Sequence, residues 1–209
     1  AFRDPKVLKL CLIYFLWVVG FWGFYFWMPT VLKELSGLST SLLGGAIAIP
    51  MSAALVVQLI ISKTSTKTGD KVWHVAITLF VGALGLGLSP FAHSLPVALA
   101  LVCLSAIGIH AAMGVWWTIP TTFLTGPAAA GSVALINSCG NLGGWVGPNM
   151  MAWVKVTTGS FDFGYYIMGA FMLLSGLLVL TIQYKLNGER KNVFVAAKAE
   201  DAKLEEAEA

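Results

Sequence analysis

Six apolar stretches, each about the length of a bilayer-crossing helix, dominate this sequence. They run over about residues 8–28, 41–62, 72–91, 95–123, 128–154 and 165–184. Charge is confined to their edges and to the segments between them. From Val72 to Val154 there is no Asp, Glu, Lys or Arg at all. A spanning helix needs about 20 mostly apolar residues. Backbone in hydrocarbon must also satisfy its own N–H and C=O groups, which a helix does within one segment. The expected fold is an all-α membrane protein with six transmembrane helices. Composition agrees: 11% of residues are charged, against roughly 25% in soluble domains.

The basic residues orient the helices. With the start of the chain placed in the cytoplasm, Arg3, Lys6, Lys9, Lys63, Lys67, Lys71, Lys185, Arg190, Lys191, Lys198 and Lys203 fall on the cytoplasmic side. Only Lys33 and Lys155 fall outside, so 11 of the 13 basic residues obey the positive-inside rule. Both termini are expected in the cytoplasm. Residues 1–184 form the helical unit, and residues 185–209 a charged cytoplasmic tail with some helix propensity. The first residue is Ala1, with no initiator methionine, and the expectation is that a longer protein has lost its first part. No signal peptide precedes the first stretch. Cys11, Cys103 and Cys139 sit singly in apolar surroundings and read as small core residues.

Polar residues inside such stretches face a partner or a water-filled cavity. The most polar region runs from Val115 to Met150. Asn137 and Asn141 lie one helical turn apart, suited to a hydroxylated or carboxylated solute or, alternatively, to bonding between helices. Gly140, Gly143, Gly144 and Gly147 form two overlapping GxxxG spacings, which read as a close helix contact. His110 lies in the fourth stretch, with Gly114, Trp117 and Thr121 following at helical spacing. It reads either as a substrate contact or as a neutral histidine bonded to a neighbouring helix. Trp117, beside Pro120, reads as a cavity wall or as interhelical packing. Trp22, Tyr25 and Gln58 are further candidates for the same cavity. Trp27, Trp73 and Trp153 near stretch ends read as interfacial anchors.

The first stretch ends near Pro29–Thr30 and the fourth near Pro120–Thr121, each after aromatics, a faint sign of an inverted repeat. No nucleophile–base motif, HExxH or phosphate-cradling loop is present. An enzyme is not expected; neither is a metal, a cofactor or a nucleic-acid partner.

Several strings resemble the major facilitator superfamily, and within it the anion:cation symporters that carry tartrate, galactonate, hydroxyphenylacetate and phthalate. Lys67-Thr68-Gly69-Asp70-Lys71 with Trp73-His74 resembles the loop between the eighth and ninth helices. Trp117 to Gly126 resembles the tenth helix and its exit. Ala134 to Gly144 with Val146-Gly147-Pro148 resembles the eleventh, and Phe26-Trp27-Met28-Pro29 with Leu35-Ser36-Gly37 the end of the seventh. The chain has Thr66 where the family loop carries an acid, a departure that tells against a charge relay through this loop.

The resemblance implies the C-terminal six-helix half of a twelve-helix carrier in the bacterial inner membrane. The missing N-terminal half would supply the charged groups. The implied partners are a small organic anion, protons and the lipid bilayer. Trp117 and Asn137, then Asn141, carry over as substrate contacts. A different class also fits: a six-helix scaffold or channel subunit that oligomerises through the glycine face of the fifth stretch.

Overall fold

The computed structural model describes residues 4–122, 124 and 127–182; the charged tail and the loop positions 123, 125 and 126 lie outside them. Seven helices follow in order: α1 Pro5–Ser36, α2 Thr40–Thr68, α3 Val72–Leu88, α4 Leu95–Ala111, the single turn α5 Met113–Trp116, α6 Pro127–Thr158 and α7 Asp162–Leu180. There is no strand among the described residues.

Local chemistry fixes the ends. Asp4 caps α1 by accepting from the Lys6 amide at 2.9 Å, with Pro5 at the first helical position. Gly37 and Gly69 close α1 and α2 in the left-handed region, at φ 64° and 68°, where only glycine sits without steric cost.

Pro29 does not end its helix as the sequence suggested, and Pro148 lies inside the fifth stretch as expected. α1 continues through Pro29 to Ser36, and α6 continues through Pro148 to Thr158. Each proline removes one backbone bond, and lateral packing holds the helix together. At Pro148 the carbonyl gains a bond from the neighbouring helix, donated by Trp27 Nε1 at 3.0 Å. Trp27 therefore ties α1 to α6, beyond any anchoring role.

Five spans are long and apolar enough to cross a membrane: Pro5–Ser36, Thr40–Thr68, Val72–Phe91, Leu95–Thr122 and Asp162–Leu180. The chain is an integral membrane protein. α6 has the length, at 32 residues, but its asparagines, serines and glycines keep it out of that apolar set.

α1 is the centre of the bundle. The apolar part of α1 is 67% buried, against 11% for α2. Its most extensive neighbour is α6, followed by α7; α3 lies between α4 and α7, and α2 leans on α4. α1 and α6 run parallel, because Tyr14 meets Gly140, Trp22 meets Gly144 and Glu34 meets Lys155.

Glycines make that contact possible. A Cβ on Gly143 would lie 2.7 Å from the Phe15 carbonyl oxygen and 2.8 Å from the Val19 nitrogen. One on Gly147 would meet the Val19 carbonyl and lie 2.9 Å from the Gly23 nitrogen. The overlapping GxxxG face is thus filled by α1 of the same chain.

Candidate functional site

The candidate residues sit on two connected groups along one face of α1, where Tyr14, Trp17, Phe21 and Tyr25 recur at steps of three and four. In the first group, His110 packs its ring against Phe21 and Tyr25, with centroids at 5.0 and 5.6 Å. Its Nε2 is buried and has no hydrogen-bond partner among the described residues. The histidine is therefore not bonded to a neighbouring helix through that atom. Tyr25 stacks on Phe21 at 5.7 Å, and its hydroxyl donates to the Met51 sulfur on α2 at 3.2 Å. Trp22 is 43% exposed, and its indole lies over Gly144, where a Cβ would come within 2.9 Å of Cδ1.

In the second group, Trp117 meets Tyr14 edge-to-face at 5.1 Å. Tyr14 also stacks on buried Trp116 at 5.9 Å and covers Gly140 of α6. Gly140 directly precedes Asn141, so Tyr14 links Trp117 to the amide-bearing helix. Asn137 and Asn141 are both exposed. Asn141 Nδ2 donates to the Asn137 carbonyl at 2.8 Å and to Asn137 Oδ1 at 3.0 Å. Both bonds stay within α6, and none from either amide reaches another helix of the described residues. The Asn137 NH₂ and the Asn141 Oδ1 remain as an uncommitted donor and acceptor on an open face.

The face His110–Gly114–Trp117–Thr121 is not continuous. α4 stops at Ala111, α5 lasts one turn, and Pro120–Thr122 is a 3₁₀ turn. His110 still meets α1 at Phe21 and Tyr25, and Trp117 meets it at Tyr14, about two turns away, the spacing that seven helical residues give. Thr121 bonds to the Thr118 carbonyl at 3.0 Å and joins neither group. Gln58 is part-buried on α2 and makes no hydrogen bond to the candidates.

The break in α4 coincides with a contact that the sequence did not disclose. Trp17, fully buried, donates Nε1–H to the Ile109 carbonyl at 3.1 Å, and meets Trp116 edge-to-face at 6.0 Å. A carbonyl four residues before Met113 thus has a side-chain partner at the interruption. Tyr14, Trp17 and Phe21 are the positioning residues that sequence reasoning passed over. Their stripe at helical spacing was the available signal, obscured because α1 carries aromatics on every side.

Among the described residues, charge lies at the ends of the bundle. At one end Lys155 pairs with Glu34 at 2.9 Å and rides over the Phe161 ring at 4.5 Å. At the other, Asp70 contacts His74 Nδ1 at 3.1 Å and accepts from the Trp73 amide at 3.3 Å. Beside it, Lys71 Nζ donates to the Thr118 carbonyl at 3.2 Å. Burial pushes the Lys71 ammonium below the ordinary lysine range. No group of three or more metal-ligating side chains occurs among the described residues.

Comparison with known proteins agrees with this architecture. Residues 1–148 match the Major Facilitator Superfamily. The chain is 38% identical over 179 residues to a protein of Agrobacterium vitis named "Putative tartrate transporter", covering 86% of this chain and 41% of that one. It is 33% identical over 190 residues to the "Quinolone resistance transporter" of Acinetobacter baumannii, covering 91% and 44%. It is 30% identical over 184 residues to the "Inner membrane transport protein RhmT" of Escherichia coli K12, covering 88% and 43%. The chain spans about two fifths of the length of these curated relatives. Helical bundle, charge-free interior and sequence kinship lead to one assignment: the chain belongs to the Major Facilitator Superfamily, whose members are transporters and not enzymes.

Proposed function

We propose that this chain is the C-terminal six-helix half of a secondary carrier that moves a small organic acid together with protons, by alternating access. In this reading residues 1–184 are the transporter half, α6 is the sixth span, and residues 185–209 are a tail on the cytoplasmic side of a bacterial inner membrane. An N-terminal half would complete the cavity.

The observation that carries the reading is the open face with Trp22, Tyr25, Asn137 and Asn141 exposed and Trp117 beside them. It offers rings, one amide donor and one amide acceptor, and no charge among the described residues. Such a surface can shape and orient a hydroxylated or aromatic acid but cannot neutralise its carboxylate. The cationic and proton-binding groups would come from the opposite half. Asn137 and Trp117 are the substrate contacts, with Asn141 holding the Asn137 amide in place. His110, Trp22 and Tyr25 form the wall beside them.

The reading that this chain is a scaffold associating through its glycine face is disfavoured by the position of α1, which occupies that face. The experiment is proton-driven uptake by the intact carrier in proteoliposomes, with tartrate, a sugar acid, an aromatic acid and a quinolone as candidates. Asn137→Ala should raise KM for the true substrate about tenfold, the size of one lost hydrogen bond to a charged group. Unchanged KM and kcat would remove Asn137 from the site, and the absence of uptake of all four would overturn the substrate class.

A further inference from the structure

The cavity of about 350 Å³ at the Lys71 end of the bundle lies apart from the aromatic face. Its walls are Ser62, Ser65, Thr66 and Gly69 at the end of α2, Lys71, and Gly114, Val115 and Thr118 around α5. We propose that it is an oxyanion-binding site, taking a carboxylate or a phosphate group on Lys71, Ser62 and the Gly69 amide.

The argument begins with the charge of Lys71. An ammonium carries three donors, and one is committed, to the Thr118 carbonyl at 3.2 Å. No carboxylate pairs with it among the described residues. Its neighbour Asp70 is 7% exposed and is engaged by His74 and the Trp73 amide, so it does not serve as counter-ion. Partial burial lowers the proton affinity of Lys71. The negative end of α2 and the positive end of α3 meet in this loop and offset one another. Lys71 remains the charge facing the cavity, while Lys63 and Lys67 are exposed.

Donors decide which ligand fits. Three of the lining hydroxyls are committed to carbonyls: Ser65 to Asp70, Thr66 to Ser62 and Thr118 to Val115. The Ser62 hydroxyl donates to nothing among the described residues, and neither does the Gly69 amide. Lys71, Ser62 and Gly69 thus leave uncommitted N–H and O–H groups around one space, a set that matches an oxyanion. Gly114 keeps that space open, since a Cβ there would come within 3.1 Å of Ser62 Oγ.

An oxyanion here has two sources, an organic acid entering or leaving the carrier and the phosphate of an anionic lipid. Only the first rests on the proposed function. The test uses the intact purified carrier in detergent at low ionic strength, in an Asn137→Ala background that weakens binding at the aromatic face about tenfold. Sodium tartrate and inorganic phosphate are titrated against sodium chloride as the ionic-strength control. Vesicles of phosphatidylglycerol are compared with vesicles of phosphatidylcholine. Tryptophan fluorescence reports, because Trp117 adjoins Thr118.

The expected result is a saturable change beyond the chloride control. It should weaken about tenfold or more in Lys71→Gln and less in Ser62→Ala, and survive in Lys71→Arg. A response to soluble anions assigns the site to cargo, and one to phosphatidylglycerol alone assigns it to lipid. No response beyond chloride, or an equal one in Lys71→Gln, overturns the proposal. Uptake by a carrier without Lys71-dependent binding would leave the transport reading standing, and the converse would sink only that reading.

Discussion

A matched pair of glycine substitutions in α6 should move stability in opposite directions. Gly131→Ala adds a methyl group where none of the described residues lies within 4 Å. The helix gains intrinsic propensity, about 0.5–1 kcal/mol. Gly147→Ala makes the same gain but drives its methyl into the Val19 carbonyl and to 2.9 Å from the Gly23 nitrogen. Backbone cannot rotate away as a side chain can, so α1 and α6 must separate along their most extensive contact. Overpacking of this kind costs about 1–3 kcal/mol, leaving a net loss on the order of 1–2 kcal/mol. At about 2–4 °C per kcal/mol for a chain of this size, Gly147→Ala should melt about 2–8 °C lower and Gly131→Ala slightly higher. Cys11 is buried in α1 and Cys139 stands beside Gly140. With Cys103 and Cys139 replaced by alanine, labelling of buried Cys11 by a maleimide dye during a temperature ramp therefore reports opening of this seam. Equal shifts for the two variants, or wild-type behaviour of Gly147→Ala, would refute the close contact.

Three further outcomes follow from particular bonds. Trp17→Phe keeps the ring but strands the buried Ile109 carbonyl, at about 1–3 kcal/mol. It should lower the labelling temperature and also raise KM, whereas a purely structural role would leave KM alone. Asn141→Ala frees the Asn137 amide and should raise KM in uptake assays by less than Asn137→Ala does. Lys155→Ala breaks an ion pair whose partners are 33% and 52% exposed. It should change stability by less than about 1 kcal/mol, and salt titration of the wild type should reproduce much of that change.

Five of the spans were legible because the rule behind them is local: about 20 mostly apolar residues suffice to identify one. The sequence also identified the glycines of α6 as contact residues, since small residues at steps of three and four have few other uses. It could not name their partner. Gly143 and Gly147 suit another copy as well as α1, and only three-dimensional packing distinguishes them. Asn137 and Asn141 were legible as a pair, but the direction of their bonds along α6 depends on side-chain rotamers. His110 and Trp117 were placed on one face by assuming an unbroken helix. Both do meet α1, but the helix between them is interrupted at Ala112, where a bond comes from Trp17, distant in the chain. Tyr14 and Phe21 escaped notice for a related reason, because a stripe inside an all-round aromatic helix gains meaning only when its neighbours are known.

The parallel contact between α1 and α6 also bears on how such a protein is made. α6 is less apolar than the five spans that meet the composition criterion for crossing a membrane, and its Gly143 and Gly147 backbone fits directly against α1. On the proposed topology, α1 is synthesised and inserted well before α6 leaves the ribosome. The later helix would then enter the bilayer against a protein surface already in place. Order of synthesis becomes part of the folding information: moving α6 ahead of α1 by circular permutation should impair membrane insertion even though every final contact is preserved.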